Sequence, residues 1–306
     1  YGIANGKFEV GFLVLFWAYF SNVWESAREL AEQTQKFSDA KYDVARLHDT
    51  LKEPINIDDE SNKIDFADDW KTIRFLDVSF AYGDNEVLKN ISFEIKRGER
   101  IGIVGLSGAG KSTLIKLLLK EHESYTGDIL FDDVSIREMR KSSYLKRVAV
   151  VLQDTEVFNF SLKENITIAS QETENEFERL QDALHTAHIT DFIKRLPDGI
   201  NTLIGEKGVK LSGGERQRLG IARAIYKKPE ILFLDEATSH LDLESEEKIQ
   251  DSLHKFFKQV TAVVIAHRLS TIREMDRVLV IEHGRIIDSG TFDELKKRRV
   301  GSFRLL

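Results

Sequence analysis

Apolar and polar positions along this chain follow two regimes that meet near residue 54. Residues 10–20 (V-G-F-L-V-L-F-W-A-Y-F) form an uncharged apolar run, bounded by Glu9 on one side and by Ser21, Asn22 and Glu25 on the other. The run falls short of the roughly 18–20 residues that cross a membrane unaided. By length it suits a buried helix, an interfacial segment or part of a span. Beyond it Leu30, Phe37, Val44 and Leu51 recur at heptad spacing, with Ala40 and Leu47 between them and charged residues elsewhere. Residues 21–51 therefore read as one long amphipathic helix that continues the apolar run, whether in a soluble arm or below a membrane. Pro54 ends it. Residues 55–71 are mostly acidic and polar and read as a linker, and this change of composition marks the main domain boundary.

After the linker the period of the pattern changes. Short runs rich in β-branched and aromatic residues at 73–79, 91–95, 100–104, 129–131, 148–152, 231–234, 262–265 and 278–281 read as strands. A Gly83-Asp84-Asn85 turn joins the first two. Residues 113–120 (T-L-I-K-L-L-L-K) read as a helix, and a charged, largely helical stretch from about 162 to 195 separates the strands at 148 and 231. The expectation is an α/β core interrupted by a helical insert.

Composition narrows the chemistry. With 42% hydrophobic and 31% charged residues, the 306-residue chain can bury a sizeable core. Its formal net charge of -7 argues against nucleic-acid binding through overall positive charge, and no nucleic-acid partner is expected. The absence of cysteine excludes disulfides, thiolate metal sites and cysteine nucleophiles. The chain starts at Tyr1 and has two methionines, Met139 and Met275, as expected of part of a longer polypeptide.

Three stretches carry candidate chemistry. Residues 105–113 read G-L-S-G-A-G-K-S-T, fitting G-x-x-x-x-G-K-[ST] with Gly105, Gly110, Lys111 and Ser112 in the fixed positions. Glycines between a strand and a helix let backbone N–H groups approach phosphate oxygens, and the helix start adds a positive dipole end. Lys111 supplies a point charge to the phosphates and the Ser112 hydroxyl an oxygen ligand for Mg²⁺. Residues 231–236 read I-L-F-L-D-E, a buried strand ending in two carboxylates. Beside a phosphate loop, Asp235 suits the metal and Glu236 the polarisation of a water. Residues 211–218 read L-S-G-G-E-R-Q-R ahead of an amphipathic run at 219–226. Ser212, Gly213 and Gly214 form either a second anion nest or an ordinary N-cap with flexible glycines. One nucleotide has a single γ-phosphate, so two nests are used most simply in a head-to-tail pair of chains.

These three motifs, in this order, resemble the nucleotide-binding domain of ATP-binding cassette (ABC) transporters over residues 72–306. The resemblance implies a P-loop NTPase cassette, with a mixed, largely parallel sheet, an antiparallel β subdomain and a helical subdomain. It implies ATP and Mg²⁺ as ligands and ATP hydrolysis as the activity. On its motif positions, Ser107, Gly108, Ala109, Thr113 and Glu215 join Gly105, Gly110, Lys111, Ser112, Ser212, Gly213 and Gly214 around the nucleotide. Tyr82 resembles the aromatic that stacks on adenine, and Gln153 the glutamine that senses Mg²⁺ and the γ-phosphate. Asp242 resembles the loop linking two sites across a dimer, and His267 the histidine on the γ-phosphate. Glu236, His267, Gln153 and Lys111 are then the catalytic set, with Ser112, Gln153 and Asp235 on the metal.

Residues 202–206 (T-L-I-G-E) resemble the segment through which exporter cassettes meet the coupling helices of their membrane domain. With the helix ahead of the cassette, this implies an exporter half-transporter. Residues 1–54 would end its transmembrane domain, a second cassette would be its partner, and the nucleotide site would face the cytoplasm at the cell membrane. Glu215 stands where the family most often has glutamine, His240 where a smaller residue is usual, and Phe292 at a frequent histidine position.

Overall fold

The computed structural model describes residues 10–52, 62–152, 155–170, 174–235, 256–257, 259–265, 269–298 and 301. The chain divides into two compact units, residues 1–57 and 58–306. In the first, the apolar run and the heptad segment form one uninterrupted helix, α1 (Val10–Lys52). Its large apolar side chains lie open within its own unit, Trp17 at 70% and Phe37 at 76% exposure. No helix among the described residues is long and apolar enough to cross a membrane.

The second unit is α/β. Its strands are β1 (Thr72–Tyr82), β2 (Asn85–Lys96), β3 (Arg100–Val104), β4 (Thr126–Phe131), β5 (Val134–Ser135), β6 (Val148–Val151), β7 (Ile231–Asp235), β8 (Thr261–Ile265), β9 (Arg277–Glu282) and β10 (Arg285–Gly290). The helices that matter below are α2 (Lys111–Leu118), α3 (Lys141–Lys146), α4 (Leu162–Thr167), α5 (Glu176–Thr186) and α7 (Gly213–Lys227), with the short α6 (Thr190–Ile193) before α7. Strands β2-β1-β4-β5 make an antiparallel sheet, and β10-β9-β3-β8-β7-β6 make a sheet that is parallel except for β10. The strands expected at 73–79 and 91–95 are longer than their apolar runs, because β1 and β2 pair along nearly their whole length around the Gly83-Asp84 turn.

Period-two alternation splits the parallel strands between two cores. Ile101, Ile103, Ile231, Phe233, Val263, Ile265, Leu279 and Ile281 face the antiparallel sheet and α2. Their neighbours Val104, Leu232, Leu234, Ala262, Val264, Val278 and Val280 face the helical side, with α4, α5 and α7. Both faces of these strands are therefore dry, which is why they read as continuous apolar runs rather than alternating ones.

The acidic stretch at 62–71, expected as linker, is instead built into this unit. Phe66 and Trp70 are buried, and with Phe131 and Tyr144 they form a cluster of edge-on rings 5.3–5.5 Å apart at its closest pairs. The Ile64 amide donates to the Glu138 carbonyl at 3.0 Å, and the Arg140 amide to the Ile64 carbonyl at 2.7 Å. The Trp70 indole N–H and the Arg97 guanidinium share the Glu230 carboxylate, at 3.0 and 2.8 Å. Composition misleads here because two aromatic anchors outweigh a majority of solvated acids: burying one large ring is worth about 2–3 kcal/mol.

One ion pair fastens the amino ends of β3 and β9, neighbours inside the parallel sheet. Arg100, opening β3, donates from Nε to Asp276 Oδ2 at 3.0 Å and from a terminal nitrogen to Oδ1 at 2.6 Å, and its amide also reaches Oδ2. These donors hold the Asp276 carboxyl below its ordinary value of 3.8, Arg100's side-chain hydrogen bond being the largest cause. A lowered carboxylate stabilises the fold fully above its unfolded-state value and loses that contribution as the pH falls through the folded-state one. Asp276→Asn is expected to cost about 1 kcal/mol at neutral pH, since the pair is partly exposed. The variant should also lose part of the acid dependence of Tm below about pH 4. A Tm profile superimposable on the parent's from neutral to acid pH would show that the pair contributes nothing.

Candidate functional site

The parallel strands set the site, because their carboxyl ends all open on one edge of the sheet. Ile103 in β3, Ile265 in β8 and Asp235 in β7 lie in one register row, and Val151 in β6 pairs with Leu234. The phosphate loop leaves β3 directly after this row. Gln153 comes two residues after β6, Glu236 one residue after β7 and His267 two residues after β8. Gln153, Glu236, Asp242 and His267 themselves, with His240, lie outside the described residues.

The loop's glycines are required by its geometry. A Cβ on Gly105 would lie 2.2 Å from the Ile281 carbonyl oxygen of β9, which cannot yield. Gly110 has φ +100° and faces Leu88 of β2, whose Cδ2 would stand 2.7 Å from an added Cβ. Gly108 also has positive φ, and the Ala109 amide closes the turn on the Leu106 carbonyl at 3.1 Å. Gly110 is the N-cap of α2 and makes no side-chain cap bond to the first helical amides.

Lys111 folds back over this loop. It is 7% exposed, and its Nζ donates to the carbonyls of Gly105 at 2.9 Å and Leu106 at 3.0 Å. The ammonium is thereby fixed at the loop while Ser107, Gly108 and Ser112 face outward. Ala109 and Thr113 are buried and hold the loop and helix to the core. Asp235 is half-buried at the end of β7, two strands from β3. Tyr82 stands at the tip of the β1–β2 hairpin, the hairpin whose Leu88 packs on Gly110, and it is 42% exposed.

Ser112 and Asp235 offer oxygen donors, the kind a hard cation takes. Among the described residues no cluster of three or more His, Asp or Glu side chains could cage a metal. One hydroxyl, one carboxylate and nucleotide oxygens suit Mg²⁺, which keeps several waters and seldom has an all-protein cage.

The second glycine turn lies elsewhere. Helix α7 packs on α4, α5 and β6, and β6 is three strands from β3, roughly 14 Å at the usual spacing. Ser212 caps α7 in a capping box: its Oγ accepts from the Glu215 amide at 3.3 Å, and the Glu215 carboxylate accepts from the Ser212 amide at 2.9 Å and hydroxyl at 2.8 Å. Glu215 also accepts from Arg195 at 3.2 Å. Within one chain, then, Ser212 and Glu215 serve the helix start, and Gly213 and Gly214 lie in its first turn. The phosphate loop and Asp235 lie at the same end of the sheet and the hairpin of Tyr82 packs on Gly110, whereas residues 212–215 cap α7, which packs on β6, three strands from β3.

Sequence reading also missed a buried junction. Asn165 is fully buried; its side-chain amide donates to the carbonyls of Phe158, Phe160 and Ser161 and its Oδ1 accepts from the Phe158 amide. Arg223 of α7 donates to Asn165 Oδ1 at 2.8 Å and to the carbonyls of Asn165 and Glu156, each at 2.6 Å. The loop at 158–162 pairs in turn with 202–204. The only signal in the sequence was one arginine within the apolar face of α7.

The sequence model of the family described as "ABC transporter" matches residues 88–239. The chain belongs to the ABC transporter family. Its fold matches a solved bacterial Atm1-family ABC exporter with ATP bound at a TM-score of 0.79 and 34% identity, covering 98% of this chain and 52% of that one. An ATP-dependent lipid A-core flippase of Chromohalobacter salexigens is 42% identical over 93% of this chain and 49% of its own length. Heavy metal tolerance factor 1 of Caenorhabditis elegans is 39% identical over 94% of this chain and 36% of its own length. This ABC transporter chain thus spans about half the length, or less, of the relatives it matches.

Proposed function

We propose that this chain is the ATP-hydrolysing part of an exporter half-transporter, working as a pair in which each phosphate loop is closed by the partner's glycine turn. The observation that carries this reading is that the two glycine turns open different helices of one chain, one after β3 and one capping α7, a helix that packs on β6, three strands from β3. Residues 105–113 cradle the triphosphate, Lys111 neutralises charge as it develops, and Tyr82 stacks on the base. Ser112, Asp235 and Gln153 would hold Mg²⁺, which supplies further charge neutralisation. Glu236 orients the attacking water and His267 contacts the γ-phosphate. In the closed pair Ser212, Gly213 and Gly214 face the partner's nucleotide, Glu215 keeps them in place by its capping box, and Asp242 links the two sites. Catalysis on this reading is mostly positioning and charge stabilisation.

The remaining assignments follow the same reading. Residues 10–20 form the inner end of the last membrane helix and the rest of α1 its extension, so 1–54 belong to the membrane domain and 72–306 to a cassette on the cytoplasmic face. Residues 202–206, paired with 158–162, meet the coupling helices, and Arg223 passes their displacement to α7. The partner cassette is a copy of this chain or a related one. The transported substrate belongs to the membrane domain.

Phosphate release from Mg-ATP, measured against protein concentration, tests the pairing. A rate per molecule that rises with concentration and saturates is expected. A rate per molecule that is measurable yet independent of concentration from nanomolar to micromolar, in a protein that sediments as a monomer throughout, would refute the two-chain site.

A further inference from the structure

We propose that His122 is a positioning residue for Tyr82, holding its ring as the platform on which a nucleobase stacks; this rests on the reading that Tyr82 takes the base. Tyr82 sits at a hairpin tip beside Gly83 with φ +57°, where an exposed ring has several rotamers available unless something packs against it. Two rings do so. Phe80 meets Tyr82 edge-on with centroids 4.8 Å apart, and His122 meets it edge-on at 5.3 Å while stacking on Phe80 at 5.0 Å and 27°. His122 Nε2 also lies 3.3 Å from the Tyr82 hydroxyl, within hydrogen-bond reach. Three rings in mutual contact, with Tyr82 still 42% exposed, leave part of the Tyr82 ring fixed and part open.

The placement of His122 is itself built by the phosphate-binding helix. Helix α2 ends in a Schellman turn: the Lys120 amide donates to the Leu117 carbonyl and the Glu121 amide to the Lys116 carbonyl, both at 3.0 Å, with Lys120 at φ +54°. The Lys120 side chain is buried and donates to the Met139 carbonyl, and the Lys120 carbonyl accepts from Lys141 at 2.8 Å. His122 is the second residue after this pinned reversal. One end of α2 therefore starts at the phosphate loop, and the turn at its other end steadies the base platform. The two halves of a nucleotide site share one rigid element.

The test uses the complete transporter in lipid vesicles, with ATP turnover and inhibition by inorganic tripolyphosphate, which has phosphates and no base. His122→Ala is expected to raise KM for ATP about three- to tenfold, the scale of a lost ring contact and hydrogen bond, with kcat within about twofold. The tripolyphosphate inhibition constant should not move. Tyr82→Ala should raise KM at least as much, and the double variant no further than Tyr82→Ala alone, since both remove one platform. His122→Phe, which keeps the ring contacts, should recover most of the loss. If Tyr82→Ala raises KM and His122→Ala does not, the proposal is overturned and the base reading of Tyr82 stands. If neither raises KM, the base reading fails and takes the proposal with it. A His122→Ala effect that is additive with Tyr82→Ala, that weakens tripolyphosphate equally, or that His122→Phe fails to recover would also overturn it.

Discussion

Replacing Glu236 by glutamine is expected to lower ATP turnover at least about a hundredfold while leaving ATP binding intact. The argument begins with strand β7. Residues 231–234 are buried on both faces, so the chain carries no charge until it emerges at Asp235, in register with the end of β8 and two strands from the phosphate loop. Asp235 closes the strand, and Glu236 is the next residue in sequence. Asp235 is assigned to the metal side, and Glu236, one residue further on, to the water. Glutamine keeps the size and removes the negative charge, so on the proposed reading it withdraws the group that orients and polarises water. Turnover and equilibrium ATP binding measured on one preparation separate the two effects. Turnover in Glu236→Gln equal to the parent's would remove Glu236 from the mechanism, and loss of binding would show that its charge holds the loop rather than the water.

Lys111→Ala carries the second large effect, this time on binding and turnover together. The ammonium is almost wholly buried at the loop and bridges two loop carbonyls, so its truncation removes a charge and leaves the Gly105 and Leu106 carbonyls without that donor. Loss of a desolvated charge-assisted contact is worth about 2–4 kcal/mol, or roughly thirty- to a thousandfold in the ATP dissociation constant. Isothermal titration with ATP reads this directly, and the thermal midpoint without nucleotide reports the cost to the loop. Unchanged affinity would mean that the loop amides alone hold the phosphates. Equal falls in midpoint and affinity would make Lys111 a structural residue of the loop.

The strength of the sequence signal differed from element to element for identifiable reasons. The phosphate loop is local: its glycines, lysine and hydroxyl follow one another, and steric need at Gly105 and Gly110 leaves little choice of residue. The parallel strands were legible because burial on both faces makes each a plain apolar run. Residues 62–71 were misread because composition averages over Phe66 and Trp70, whose partners Phe131 and Tyr144 are more than sixty residues away. Asn165 was silent and Arg223 showed only as a charge within an apolar helix face, since a polar side chain in a helix has no sequence mark of the carbonyls it will meet. His122 was silent for a related reason: its partners belong to a hairpin forty residues earlier.

By itself the sequence determined the chemistry this chain can carry and the order of its elements. Loop, carboxylate pair and capped glycine turn are each contiguous, so spacing alone specifies them. Only the tertiary structure decided which of them meet. Strand order places the phosphate loop and Asp235 at one end of the sheet and puts β6, on which α7 packs, three strands from β3, and strand order is set by pairing between distant segments that no local pattern records. The tertiary structure likewise drew the acidic stretch into the core and set His122 against Tyr82, because burial and ring contact are decided by what the rest of the chain brings alongside.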